Sequence, residues 1–136
     1  MVVTAEIFIP GTAQGRVLRS ARPLSFWGGV DPATGAITDP ESEYCGTSIA
    51  GRILMLAATR GSSSSSSVLL ELIVAGTAPA AIILGQIDAI LGIGILVAHE
   101  LGYAGLPLLR LGPDEQAQFA PGTTAAVTGD GTIISM

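Results

Sequence analysis

The fold is decided by residues 52–84, which read RILMLAATRGSSSSSSVLLELIVAGTAPAAIIL. The apolar runs at 52–57 and 80–84 are each typical of a buried strand. Between them, residues 68–75 have the composition of a helix, and Gly76 suits the left-handed position that ends one. A strand, a helix and a second strand in this order predict a crossover that places two parallel strands in one sheet.

The rest of the chain adds a second crossover helix and further strands. Residues 88–101 predict that helix, which ends at Gly102 and tolerates two internal glycines. Residues 125–128 and 132–135 predict a hairpin around a Gly-Asp-Gly turn. Other strands are predicted at 4–9, 16–20, 23–26, 36–38 and 106–111. The predicted fold class is α/β with extra antiparallel strands at both ends, and 136 residues fit a single domain over 1–136.

The composition restricts the partners of this chain. Hydrophobic residues make up 49% of it and charged residues only 12%. Eleven acids stand against six arginines and no lysine, so no basic patch is available for nucleic acid. A chain this apolar and this poor in charge predicts a large interface with another protein, for which Phe26 and Trp27 are candidate exposed anchors.

Membrane insertion and metal binding by this chain alone are not expected. The uncharged stretch between Glu71 and Asp88 is interrupted by glycine and proline and is shorter than the roughly 20 residues of a spanning helix. The N-terminal residues lack the basic start and long apolar core of a signal peptide, so we expect a soluble, cytoplasmic protein. One cysteine, Cys45, and one histidine, His99, cannot form a disulfide framework or a multi-ligand metal site.

Six consecutive serines, residues 62–67, stand directly between a predicted strand and a predicted helix. Composition alone favours a flexible surface loop. Their position instead favours a helix start, because a serine hydroxyl accepts hydrogen bonds from N–H groups that the first turn leaves unpaired. The partial positive charge there suits a bound carboxylate or a hydroxyl that becomes an alkoxide as it removes a proton.

Four segments of this chain follow the order of motifs in a known family. They are PLSFWGGVDPATG at 23–35, GTSIAGRIL at 46–54, RGSS at 60–63 and GTAPAAII at 76–83. Through them the chain resembles the small, swivelling part of the aconitase X family. The resemblance implies a swivelling β/β/α domain with a mixed sheet or a barrel-like core and two main helices.

The resemblance also implies a hydro-lyase made of two parts. The larger subunit would hold an iron–sulfur cluster or iron centre, and this chain would bind none. By similarity to the Gly-Ser-Ser turn of ordinary aconitases, Ser62 would be the catalytic base and Ser63 a substrate-binding hydroxyl. Ser66 is the alternative base, because the serines are identical. Ser64 stands where ordinary aconitases have a carboxylate-binding arginine, which disfavours a tricarboxylate substrate.

Two small hydroxy acids are associated with the family, cis-3-hydroxy-L-proline and (R)-5-phosphomevalonate. The lack of lysine is unlike the Lys- and Glu-rich surfaces of thermophilic archaeal proteins, and it favours the hydroxyproline. The alternative role for this chain is a non-catalytic assembly subunit that closes the active site of its partner.

Two further residues are candidate substrate contacts. Arg60 directly precedes the glycine of the RGSS motif and suits a carboxylate. Asp31 lies in a Gly/Pro turn that the resemblance covers, which implies a place at the active-site cleft or the subunit interface, although hydrogen bonding to its own backbone is the alternative. We expect Cys45 to be a small, partly buried hydrophobe, and His99 beside Glu100 to favour a helix C-terminus more than acid–base chemistry.

Overall fold

The computed structural model describes residues 1–60 and 63–136, and its elements follow the predicted order. The strands are β1 (Val2–Thr4), β2 (Glu6–Ile9), β3 (Ala13–Ser20), β4 (Ile53–Leu56), β5 (Ala81–Leu84), β6 (Leu108–Arg110), β7 (Thr124–Val127) and β8 (Thr132–Ser135). The helices are a short turn α1 (Phe26–Gly29), the two long helices α2 (Ser65–Ala75) and α3 (Ala89–Glu100), and a short α4 (Pro113–Gln116).

The strands form one sheet that curls into a barrel. Their order is β1-β8-β7-β3-β4-β5-β6-β2, with β3 to β6 parallel and the remaining pairs antiparallel. β1 and β2 lie at opposite ends of this order, yet only Ala5 separates them in sequence. The sheet therefore has to bend until its two ends meet, and the buried Ala5 donates its N–H to the Gly131 carbonyl at 2.9 Å. This confirms the predicted mixed sheet with a barrel-like core.

The two long helices connect β4, β5 and β6 as successive crossovers, as predicted. Each helix runs back against the strands, so both helices begin at the edge of the sheet where the strands end. α2 starts inside the serine run, with Ser64 as its N-cap, three residues before the predicted start. It ends at Gly76, whose φ of 76° confirms the left-handed stop.

The apolar runs of the central strands serve two cores, one on each side of the sheet. Alternate residues point into the barrel or towards the helices, which explains why these strands read as continuous apolar runs. The barrel cluster includes Val17, Ile53, Met55, Ala81 and Ile83, and the helix-side cluster includes Leu18, Leu54, Leu56, Ile82 and Leu84.

The segment around α4 closes the barrel at the carboxyl edge of the sheet. The buried Gln116 amide donates to the Leu56 carbonyl at 3.0 Å and to the Leu111 carbonyl at 2.9 Å. Phe119 is fully buried in the barrel cluster. These contacts fix the end of β4, from which the chain continues towards the serine run.

Three of the predicted strands are wrong in detail. The strand predicted at 4–9 is broken at Ala5 into the end of β1 and the whole of β2. Within 23–26, Leu24 makes only an isolated bridge to Thr59, and α1 begins at Phe26. Phe26 is fully buried, so it is a core residue and not the exposed anchor that the sequence predicted, whereas Trp27 is 60% exposed. Within 36–38, the backbone forms isolated bridges and no continuous strand.

Candidate functional site: a serine turn at the start of a crossover helix

The serine turn, defined here as residues 60–66, begins after β4 and leads into α2. Gly61 and Ser62, the predicted base, lie outside the described residues. Ser63 and Ser64 form a turn, and Ser65 begins the helix. The described serines therefore belong to a helix start, as their position in the sequence predicted, and the flexible-loop alternative does not hold for them.

The chain that enters the serine turn is fixed by two neighbouring segments. The Arg60 N–H donates to the Leu24 carbonyl at 3.0 Å. The Thr59 hydroxyl donates to Asp88 Oδ2 at 2.7 Å. The other oxygen of Asp88 accepts two backbone N–H groups of the first turn of α3, at 3.0 and 3.1 Å. One carboxylate thus caps α3 and connects it to the residues that precede the turn.

The chain that leaves the serine turn is fixed by a close approach of α3. The Ser66 hydroxyl donates to the Ser63 carbonyl at 3.3 Å. A Cβ added at Gly94 of α3 would lie only 2.4 Å from the Ser66 carbonyl oxygen. Only glycine therefore allows the two helix backbones to pack at this distance, and α3 contacts the first turn of α2 directly.

The exposed and buried hydroxyls of the turn differ in their surroundings. Ser63 is exposed, where a ligand can reach it. The Ser65 hydroxyl is buried and has no hydrogen-bond partner among the described residues. A helix start leaves backbone N–H groups unpaired and carries a partial positive charge, so this end of α2 suits a carboxylate or a developing alkoxide.

A cleft of about 390 Å³ adjoins the serine turn at the carboxyl ends of β4 and β5. Its lining residues are Ala58, Thr59, Gln86, Ile87, Asp88, Ala89 and Ile90. Parallel α/β sheets, whether open or closed into barrels, bind ligands at the carboxyl ends of their strands. Arg60 stands exposed beside it, and no described residue accepts a hydrogen bond from its guanidinium group. The structure therefore brings Arg60 and Ser63 to the edge where this cleft opens.

The structure does not bring Asp31 to the same place. The Asp31 carboxylate accepts the Ala33 N–H at 3.0 Å, which is the local turn contact that the sequence gave as the alternative. The next residue, Pro32, accepts a hydrogen bond from Thr77 at 2.7 Å, just beyond the C-terminus of α2. With eleven residues, α2 is about 16 Å long, so this loop and the serine turn lie at opposite ends of the helix.

The remaining candidates do not form a second site with the serine turn. Cys45 is exposed, so the predicted partly buried position is wrong. His99 and Glu100 are exposed in the last turn of α3, at the end remote from the serine turn. Across residues 1–60 and 63–136, no three His, Cys, Asp or Glu side chains come together as a metal site. The helices of this described part are too short or too polar to cross a bilayer.

Sequence reasoning missed two residues that shape the turn, Asp88 and Gly94. An aspartate before a helix indicates an N-cap, but its second partner, Thr59, is 29 positions away and no local spacing rule connects them. Gly94 carries a clearer signal. A glycine inside a helix costs about 1 kcal/mol relative to alanine, so its presence indicates a close approach of another backbone.

The fold and the site define an α/β domain whose candidate chemistry lies in a hydroxyl-rich turn at the start of a crossover helix. The family model for the aconitase X swivel domain matches residues 2–136. The chain belongs to this family, which confirms the resemblance carried by the four sequence segments.

Relatives with two different names match this chain at similar identity. It is 42% identical over 120 residues to cis-3-hydroxy-L-proline dehydratase of Pseudomonas aeruginosa, a match that covers 87% of this chain and 21% of that protein. It is 44% identical over 101 residues to the phosphomevalonate dehydratase small subunit of Pyrococcus furiosus, covering 74% of this chain and 71% of that one. The chain thus spans about a fifth of the first relative and most of the second.

Solved structures share the whole fold. A chain in the holo-form crystal structure of Thermococcus kodakaraensis aconitase X superposes with a TM-score of 0.88 at 32% identity, covering 100% of this chain and 98% of that one. A UPF0107 protein solved by NMR in solution gives a TM-score of 0.86 at 29% identity and is covered over 99% of its length. The predicted fold class is therefore confirmed.

Proposed function

We propose that this chain is the small, swivelling part of a heteromeric, cytoplasmic hydro-lyase, in which it supplies the serine base. The observation that carries the proposal is the serine turn, which is anchored on both sides and opens beside an exposed arginine and a cleft. The names of the relatives, which are dehydratases, support this class of reaction.

The reaction that this turn suits is the removal of water from a small hydroxy acid whose hydroxyl group lies on C3 and whose C2 carries the proton to be removed. For cis-3-hydroxy-L-proline, Ser62 would take the proton from C2, next to the carboxylate. The hydroxyl group would leave C3 with a proton as water, and a C2=C3 double bond would form. The resulting enamine isomerises to a pyrroline-2-carboxylate. A serine hydroxyl is a weak base, so the positive end of α2 has to stabilise the alkoxide.

The roles of Ser63 and Arg60 follow from their exposure at the same edge. The Arg60 guanidinium would hold the substrate carboxylate, and the Ser63 hydroxyl would donate a hydrogen bond to it. We do not extend this role to Asp31, because its carboxylate is used in a local turn at the other end of α2.

The iron–sulfur cluster or iron centre that the resemblance implies does not fit the described residues of this chain. Cys45 is the sole cysteine, and an exposed single thiol cannot hold a cluster. In our proposal the larger subunit holds the centre. We derive no step through it from this chain.

The arginines favour cis-3-hydroxy-L-proline over phosphomevalonate. Four of the six donate to backbone carbonyls and are used to hold the fold: Arg16, Arg19, Arg22 and Arg52. The other two are exposed: Arg60 belongs to the serine turn itself, and Arg110 ends β6. One cation suits one carboxylate, whereas a phosphate would require further cations from the partner. Phosphomevalonate is the alternative substrate, because its dehydratase small subunits match this chain equally well.

The complex of this chain with its larger subunit, assayed separately on both substrates, tests the proposal. Ser62→Ala is expected to lower kcat by about 10²–10⁴-fold without loss of the complex. Ser67→Ala is the matched control, because Ser67 is an exposed serine of α2. Ser66→Ala tests the alternative base. Full turnover by both the Ser62→Ala and the Ser66→Ala complexes would favour the non-catalytic assembly role.

A further inference from the structure

We propose that the outer face of α3 is the surface on which the larger subunit docks. We define the α3 patch as the exposed apolar side chains of this face together with the strand residue beside it. They are Ile90, Ile93, Leu96, Val97, Leu101 and Phe8, each between 39% and 60% exposed. The inference rests on the proposed function, since it takes the larger subunit as the occupant.

The composition of α3 is that of a buried helix. Its inner residues pack against the sheet and α2, and its outer residues are aliphatic as well. No charged residue occurs between Asp88 and Glu100. A helix that faces water on one side normally carries charged residues there, and a helix that is apolar all round is buried. In this chain α3 is covered on one side only, so a second body has to cover the other.

The α3 patch borders the serine turn. Ile90 lines the cleft next to the turn. Ile93 is followed by Gly94, whose backbone lies against Ser66 in the first turn of α2. A partner that closes the substrate site over the serine turn therefore lies next to the α3 patch.

The relatives of this chain indicate which protein binds the α3 patch. In the Pseudomonas aeruginosa relative, the matched region is 21% of a longer chain, so that protein contains a much larger part beyond this domain. Other relatives are named as small subunits. The larger part of the same enzyme is thus the occupant to which we assign the α3 patch.

The size of the patch requires a partner that extends beyond α3. A helix face about 18 Å long and 10 Å wide supplies roughly 200 Å², whereas a stable interface buries about 800 Å² on each side. Trp27 provides a second exposed apolar group near the turn, three residues after the Leu24 carbonyl that binds Arg60. The interface that we propose therefore extends from the α3 patch over the serine turn towards Trp27.

The test uses this chain co-expressed with the larger subunit of its own enzyme. The double variant Ile93→Asp with Leu96→Asp is expected to weaken the complex by on the order of 100-fold. Val74→Asp is the matched control, since Val74 is an exposed aliphatic residue in α2, near its C-terminal end. Circular dichroism of each variant establishes that it is folded. Hydrogen exchange of residues 89–101 in the wild-type complex and the free chain provides a readout without substitution, and protection on binding is expected.

Several outcomes overturn the proposal. The proposal is wrong if the double variant is folded and binds the larger subunit as tightly as wild type. It is also wrong if hydrogen exchange over α3 is unchanged when the complex forms. A free chain that is dimeric, and becomes monomeric in the double variant, would assign the patch to a second copy. A wild-type complex that forms through α3 but dehydrates neither substrate would instead refute the proposed function and leave the docking surface in place.

Discussion

The close contact between α3 and the serine turn makes a quantitative prediction for Gly94→Ala. The new Cβ would lie 2.4 Å from the Ser66 carbonyl oxygen and 3.2 Å from its carbonyl carbon. A non-bonded carbon and oxygen need about 3.3 Å. Because both contacts are with backbone, no side chain can rotate away, and α3 has to move from α2 by about 1 Å.

Two opposing effects set the change in the free energy of unfolding. Alanine gains about 1 kcal/mol over glycine from helix propensity. Overpacking a tight contact costs about 1–3 kcal/mol, and a backbone clash belongs at the upper end. We therefore expect a net destabilisation of about 1–2 kcal/mol, even though the substitution favours the helix itself.

Gly92→Ala in the same helix is the matched control. Its Cβ would contact only side-chain ends, those of Phe8, Leu108 and Ile9 at 3.2–3.5 Å. Phe8 is 46% exposed and can move. The control keeps the propensity gain without the backbone clash, so it should be neutral or slightly stabilising. The two variants should differ by about 2 kcal/mol.

Urea unfolding of both variants measures this difference, and turnover of their complexes measures its effect on the site. A displacement of about 1 Å in a catalytic group can cost 10²-fold in rate, so Gly94→Ala should also lower kcat. The reasoning is refuted if Gly94→Ala is as stable as Gly92→Ala, because the contact with Ser66 would then not constrain the helices.

Three further predictions concern separate parts of the molecule. Gln116→Leu removes the donor to two buried carbonyls and should destabilise by about 1–3 kcal/mol in urea unfolding, whereas the exposed Gln118→Leu should not. A hydrogen bond from Thr128 holds the pKa of Asp130 below its ordinary value of 3.8. The ionised Asp130 therefore stabilises the folded chain fully above pH 3.8, and this stabilisation is lost as the pH falls through the lowered pKa of the folded state. Thr128→Ala should raise this pKa in an NMR titration. Arg60→Ala should raise KM about tenfold or more with little effect on complex formation, and an unchanged KM would contradict its carboxylate-binding role.

The sequence predicted the central elements because their signals are local. Residues 52–57 and 80–84 are continuous apolar runs, which are typical of buried strands, and Gly76 ends the helix between them as expected. The helix α2 begins at Ser65, three residues before the predicted start. Serine has no strong helix propensity and is favoured at N-caps, so the sequence pattern does not indicate that Ser65 is already helical. The segment at 23–26 is not a strand, because Leu24 and Phe26 are apolar residues of the helix-side core and Leu24 makes only an isolated bridge in the sheet.

Closure of the barrel and the anchoring of the site could not be predicted in this way. Ala5 separates β1 from β2, which lie at opposite ends of the sheet. Their positions are set by pairing with β8 and β6, which lie far along the chain. The Thr59–Asp88 hydrogen bond joins two loops that only the finished sheet brings together. For Asp31 the family motif gives an expectation that the fold does not meet. The resemblance predicts that Asp31 lies near the site, whereas its loop contacts the residue that follows the C-terminus of α2.

The anchoring of the serine turn has a consequence for how a substrate reaches it. Arg60 and Thr59, which lead into the turn, are hydrogen-bonded to Leu24 and Asp88. The first turn of α2, which follows it, packs against the backbone of Gly94. Each of these contacts belongs to the packed body of the domain, so the arms of the turn do not move without that body. In the complex that we propose, access to a site shared with the larger subunit then comes from movement of the whole domain. An interface of aliphatic side chains such as the α3 patch allows this sliding more readily than one with directional ion pairs, because apolar contact is not directional.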